Sequence, residues 1–349
     1  MTDPLATPNA VPGEPRVVAR EGGAVATPGG AGARDGVMRR GRTALREAPA
    51  WQVWGALLIV YLIWGSTYLG IRIVVETMPP MFTIGIRFLA AAVIMGVILV
   101  VRHGPRVLRI TRTQLLGSLF IGLLLLGLGN GGVVLGERDV PSGLAALIVG
   151  VVPLVVLVIR RSLGERIDRV QVASVTGGLI GLVILVAPLG ISGMVKPVGI
   201  ALLLLSTIAW SYGSVLSRRV RLPRDPFVTT FYQFIAGCLF GFVAAFLAGE
   251  TNDLHPATWS MASVLALVYL VIFGSLIGFT AFTWLLQHAP VTRVMTYAYV
   301  NPVVAVALGW FVLAEAITPP MIVGATLILA SVAIIVRLQR PTPPVPEPA

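Results

Sequence analysis

The side chains that could do chemistry in this chain are few, and they sit in apolar company. Arg87, Asn130, Tyr297, Tyr299 and Asn301 each interrupt a long hydrophobic stretch. So do two similar clusters, Trp64-Gly-Ser-Thr67-Tyr68 and Trp210-Ser-Tyr212-Gly-Ser214. A polar group at lipid depth is costly unless it faces a cavity or a partner. The clusters can therefore form a cavity wall of aromatic faces and hydroxyls, or an interfacial belt, where Trp and Tyr also collect. Arg87 lies about 10 Å inside its stretch at 1.5 Å per residue. Its guanidinium could hold a cargo carboxylate by a bidentate pair. Equally, it could pair with Glu137 or Glu315, or snorkel outward. Asn130 stands among Gly127, Gly129, Gly131 and Gly132, a cluster that permits close helix approach or a broken helix. Its amide either binds cargo or caps a neighbouring backbone. Pro153 and Pro302 fall in the middle of apolar stretches, where proline frees a backbone carbonyl one turn earlier and makes a hinge.

The missing groups narrow the chemistry. No Asp or Glu lies in the middle of an apolar stretch, and His103, His255 and His288 fall at stretch ends or in loops. Proton-coupled carriers commonly need such a group at mid-membrane, so proton antiport through a buried acid is weakly supported and facilitated diffusion fits better. Lys196 is the only lysine and no P-loop signature is present, so no ATP site is expected. Cys238 is the only cysteine, which excludes an internal disulfide and a cysteine metal site. No metal and no cofactor are expected. The aspartates are scattered through tails and loops, unlike the clustered pairs that hold Mg²⁺ over a pyrophosphate, so the chain does not read as an enzyme.

The elements that position these residues follow from composition. The chain has 349 residues, 56% of them hydrophobic and 12% charged, with a mean hydropathy of +0.89. Soluble chains carry about a quarter charged residues, so the solvent for most of this one must be lipid. Crossing the hydrocarbon takes about 20 apolar residues. That criterion predicts an all-α polytopic membrane protein with ten transmembrane helices, near 52–75, 80–101, 113–136, 141–160, 170–188, 197–217, 227–248, 260–286, 291–313 and 319–338. The net charge of +11 resides in arginines between spans, at 102–112, 160–169 and 218–224, and before the first span. This is the positive-inside pattern with both termini cytoplasmic, and it leaves no basic soluble face for nucleic acid. Residues 1–48 are rich in Pro, Gly, Ala and Arg without an apolar run, so they read as a disordered cytoplasmic tail rather than a signal peptide. Residues 341–349 form a Pro-rich C-terminal tail.

The chain also repeats itself. Pro141 to Pro153 and on to Leu-Gly-Glu165 has the punctuation of Pro290 to Pro302 and on to Leu-Ala-Glu315. The Trp clusters match one another, and Pro80 precedes Arg87 by the step that separates Pro226 from Gln233. Five spans per half is an odd number, so the second half must be inverted relative to the first: 52–188 against 197–338. Inverted repeats suit alternating access. Gly237-x-x-x-Gly241 and Gly274-x-x-x-Gly278 are expected to pack helices within the chain.

Trp64-Gly-Ser-Thr-Tyr68, the Pro80 to Arg87 entry and the paired Pro/Glu helices resemble the EamA family of the drug/metabolite transporter superfamily. Val140-Pro-Ser-Gly-Leu-Ala-Ala and Thr296-Tyr-Ala-Tyr-Val-Asn-Pro-Val-Val-Ala-Val306 look like its YedA-type subgroup. The resemblance covers about 52–338. It implies ten helices in two inverted repeats, a central cavity between them, and export of small metabolites or drugs. One departure is Ala314, where the family commonly has glycine. The chain thus reads as an inner-membrane exporter of amino acids, related zwitterions or drugs, acting as a monomer with a small-molecule substrate and the bilayer as partners. The candidate cavity residues are Trp64, Thr67, Tyr68, Arg87, Asn130, Trp210, Tyr212, Ser214, Tyr297, Tyr299 and Asn301. A flippase for lipid-linked intermediates, or a membrane protein that does not transport, is the alternative.

Overall fold

The computed structural model describes residues 48–140, 142–189, 195–252, 254–313 and 317–338. Both tails, Pro141, Ala314 and Glu315 lie outside them. The described residues are helices and short connections: α1 (Ala50–Val75), α2 (Pro80–His103), α3 (Arg112–Gly136), α4a (Ser142–Val149), α4b (Val152–Ser162), α5 (Arg169–Val186), α6 (Pro197–Leu216), α7 (Pro226–Leu247), α8 (Met261–His288), α9a (Val291–Val294), α9b (Tyr297–Leu313) and α10 (Pro319–Leu338). Helix ends follow the local chemistry. α2 and α7 begin on Pro80 and Pro226, whose missing N–H costs nothing at a first helical turn. Asp168, Asp225 and Ser260 cap α5, α7 and α8, and Thr111 with Gln114 forms a capping box on α3. α2 stops at Gly104, whose φ of 75° is open to glycine at little cost.

Among the described residues, nine helices are long and apolar enough to cross a membrane. The expected span at 141–160 is not one of them, because it is broken at Gly150–Val151 into α4a and α4b, of 8 and 11 residues. Pro153 explains the break: it cannot donate to Val149, and its ring collides with that carbonyl. α9 breaks at Met295–Thr296 instead, and Pro302 lies inside α9b.

Side chains sort into two stripes. On α2, Leu89, Val93, Val97 and Val101 are exposed one turn apart, whereas Ile84, Phe88, Ala91, Met95 and Leu99 are buried. An exposed apolar stripe of that length belongs against lipid. α1 packs on α8 and α9, and α6 packs reciprocally on α3 and α4; α2 packs on α7, and α5 on α10. The last two contacts are backbone-close. A Cβ on Gly241 would stand 2.4 Å from Gly85 N, and one on Gly324 2.5 Å from Leu185 N. Only glycine permits this approach, in which helices gain dispersion contacts that lipid cannot replace.

The arginine loops meet at one end of the bundle. Glu165 takes Arg160 at 2.8 Å and Arg219 at 3.1 Å, and Arg160 also donates to Thr292 at 2.6 Å. Arg218 donates to the carbonyls of Leu286 and Ala289. The other end holds the Lys196–Asp139 pair at 2.6 Å and the Phe82 N–H bond to Glu250.

Candidate functional site

α1 and α6 bring the two aromatic clusters together. Trp64 and Trp210 meet edge to face with centroids 5.5 Å apart. Tyr297 stands 4.9 Å from Trp64, and Phe282 lies 5.0 Å from Trp64 and 5.2 Å from Trp210. Edge and offset contacts of this kind add about 0.5–1.5 kcal/mol each beyond burial. Each indole is seated on a glycine of the opposite half. A Cβ on Gly278 would stand 2.7 Å from Trp64 Nε1, and one on Gly129 2.8 Å from Trp210 Cε3. These glycines lie in π-helical segments, Leu123–Asn130 of α3 and Leu270–Phe279 of α8. A π segment disturbs the regular ladder, which lipid tolerates only where donors reach the freed carbonyls. Here Trp64 Nε1 donates to Gly274 O at 3.2 Å, and Ser206 Oγ donates to Gly129 O at 2.6 Å.

Beside this cluster lies a cavity of about 740 Å³ of space not filled by atoms, solvent at its mouth included. Trp64, Thr67 and Ile71 line it from α1, Arg87 and Phe88 from α2, and Leu126, Gly129, Asn130 and Val133 from α3. Val149 and Val152, on either side of the α4 break, also border it. α6 adds Ser206, Thr207 and Trp210, α8 adds Gly274 and Phe279, and α9b adds Tyr297 and Asn301.

The residues singled out from sequence divide accordingly. Trp64, Thr67, Arg87, Asn130, Trp210, Tyr297 and Asn301 border the cavity. Tyr212 does not, and is 42% exposed. Ser214 is buried and donates to Trp210 O at 2.7 Å. Tyr299 is fully buried and donates to Val175 O at 2.7 Å, its ring lying where a Cβ on Gly178 would be. Of Tyr68 only the backbone is described. Pro153 stands next to the break in α4, within one residue of the cavity wall.

Arg87 is 6% exposed, and its Nε donates to Ser275 Oγ at 2.9 Å. Its guanidinium stands over the Phe88 ring, 5.2 Å from the centroid. The expected pairing with Glu137 is not made: Glu137 stands instead in the field of Arg72. Glu315 lies outside the described residues. In the other half, Gln233 occupies the matching step and accepts from Thr283 Oγ1 at 3.3 Å. Three further polar atoms at the cavity wall are buried without a partner among the described residues: Asn130 Oδ1, Asn301 Oδ1 and Trp210 Nε1. Buried polar atoms are nearly always bonded, so each of these has a hydrogen bond still to make.

Sequence reasoning missed Phe279, Phe282, Ser206 and Thr207, and read Gly274 only as a packing residue. A Phe in an apolar span has no contrast with its neighbours. Ser206, one turn before Trp210, did carry a signal, because residues four apart share a helix face.

Membrane-crossing helices arranged around a cavity of aromatic and polar side chains define a membrane transporter. The chain belongs to the EamA-like transporter family, whose profile matches twice, over residues 52–187 and 197–337. It is 39% identical over 259 residues to the "Uncharacterized inner membrane transporter YedA" of Escherichia coli (strain K12), covering 74% of this chain and 81% of that one. It is 25% identical to the "Uncharacterized transporter YvbV" of Bacillus subtilis (strain 168), over 80% of this chain and 90% of that one. It is 24% identical to the "Probable amino-acid metabolite efflux pump" of Salmonella typhimurium, over 79% and 92%. A crystal structure 20% identical in sequence shares the fold, with a TM-score of 0.67 over 84% of this chain and 99% of that one.

Proposed function

We propose that this protein exports small metabolites, namely amino acids and related zwitterions, or drugs, across the inner membrane by alternating access. The carrying observation is one cavity walled from both family-matched halves: Trp64, Arg87 and Asn130 from one, Trp210, Phe279 and Asn301 from the other. In this reading residues 52–188 and 197–338 are two inverted five-helix repeats, with both termini cytoplasmic. The reciprocal packing of α1 on α8 and α9, and of α6 on α3 and α4, favours that symmetry. Rocking one repeat against the other would bend the chain at Gly150–Val151 and Met295–Thr296, where the helices are already interrupted. Flow then follows the cargo gradient. The name of the Salmonella relative points the same way for cargo. Cells overproducing the protein should survive toxic amino-acid analogues or drugs that arrest control cells. Asn301→Ala should abolish that protection at unchanged protein level. No protection against any compound, with purified protein equally silent in proteoliposomes, would sink the exporter reading.

A further inference from the structure

We propose that Arg87 is the carboxylate receptor of the cavity, and that the cargo is a small acid with an apolar or aromatic body. This rests on the exporter reading and narrows it by setting aside cationic drugs and simple amines. Only one of the guanidinium nitrogens is spent, Nε on Ser275. Nη1 and Nη2 make no hydrogen bond to the described residues, and Arg87 is one of the residues that line the cavity. None of their carboxylates stands within ion-pair distance of Arg87. A buried cation persists only when something pairs with it. Among the described residues the protein supplies a hydroxyl and a ring face, and in this proposal the missing anion comes from the cargo.

The two halves differ in charge here. At the matching step in the other half stands neutral Gln233, bonded to Thr283. Space is also kept for the receptor: a Cβ on Gly274 would stand 2.9 Å from Arg87 Nη2. With Nε engaged, the Nη1–Nη2 edge is left to take a carboxylate end-on through two parallel bonds. Among the described residues Arg87 is the only charged side chain lining the cavity, which suits one negative charge rather than a phosphate dianion. The unpartnered Oδ1 atoms of Asn130 and Asn301 accept hydrogen bonds, which suits an acid that carries a donor elsewhere. The indoles of Trp64 and Trp210 and the ring of Phe279 take its apolar body.

The test uses cargo pairs that differ only at the carboxylate, in proteoliposomes of the full chain: phenylalanine against phenylalaninamide, and phenylpropionate against phenylpropionamide. Counterflow should favour each acid over its amide by about ten- to hundredfold, the range for a charge-assisted bond in a buried site. Arg87→Gln should bring each pair near parity while eluting as a single species. Gly274→Ala keeps the charge but crowds Nη2, and should weaken the acids alone, so it decides the matter if Arg87→Gln does not insert. Equal transport of acid and amide, or an acid preference that survives both substitutions, overturns the carboxylate assignment and leaves the exporter reading standing. Failure to move any of the four compounds, alongside failure of the growth screen, overturns both.

Discussion

Glu137 shows how far one residue's setting can depart from its sequence context. It sits in the short turn after α3, and its Oε1 is buried with no hydrogen-bond partner among the described residues. Burial pushes its carboxyl up to about 7 from 4.5, against the opposing pull of Arg72. A carboxyl whose folded value is raised binds its proton more tightly in the native state. Its contribution to stability is therefore full below pH about 4.5 and is lost as pH rises through about 7. The thermal midpoint of detergent-solubilised protein should fall over that window. Glu137→Gln, which mimics the protonated form, should flatten the slope; an unchanged slope would refute the assignment. Tyr299 teaches the converse. It reads as a cavity residue beside Asn301, but its hydroxyl is used by Val175 on α5, so the structure gives it a packing role.

At the scale of elements, the two π-helical segments occupy α3 and α8, one in each family-matched half. Each receives an indole from the other half and each has a carbonyl bonded by a side chain from it. Irregular backbone at lipid depth is affordable because these donors reach it. Gly129→Ala and Gly278→Ala would place a methyl group within 2.8 Å and 2.7 Å of an indole atom. The indoles are hemmed in by Phe282 and Tyr297 and have little room to yield. Each substitution should cost about 1–3 kcal/mol of stability, the usual range for overpacking, and slow transport several-fold. Melting curves and initial rates check this, and wild-type values for both variants would show that the indoles do not need those glycines.

For the whole molecule, the arginine loops lie together at one end and Lys196 with Asp139 at the other. The proposed topology puts the first end at the cytoplasm, as the positive-inside rule would have it. In a protein carrying Cys238→Ser, a single cysteine at position 196 should react with an impermeant thiol reagent added to intact cells. One at 161 or 221 should react only after lysis. The reverse pattern would turn the proposed topology, and the direction of export, upside down.

Much of this molecule is written locally. The bounds of α2, α6, α7 and α10 follow from apolar length, proline starts and cap residues. The membrane-crossing class follows from hydropathy alone, because each of these properties is summed over neighbours in the chain. The break in α4 also has a local cause, at Pro153, although hydropathy by itself reads a single span there. The tertiary structure alone decided that Trp64 and Trp210, 146 positions apart, touch. It also decided that Arg87 faces Ser275 rather than Glu137, that Tyr212 does not border the cavity, and that Phe279 does. Inside lipid every face of a helix is apolar, so periodicity cannot say which face meets a neighbour. Side-chain size at the crossings settles that, above all the glycines that let one helix reach another's backbone.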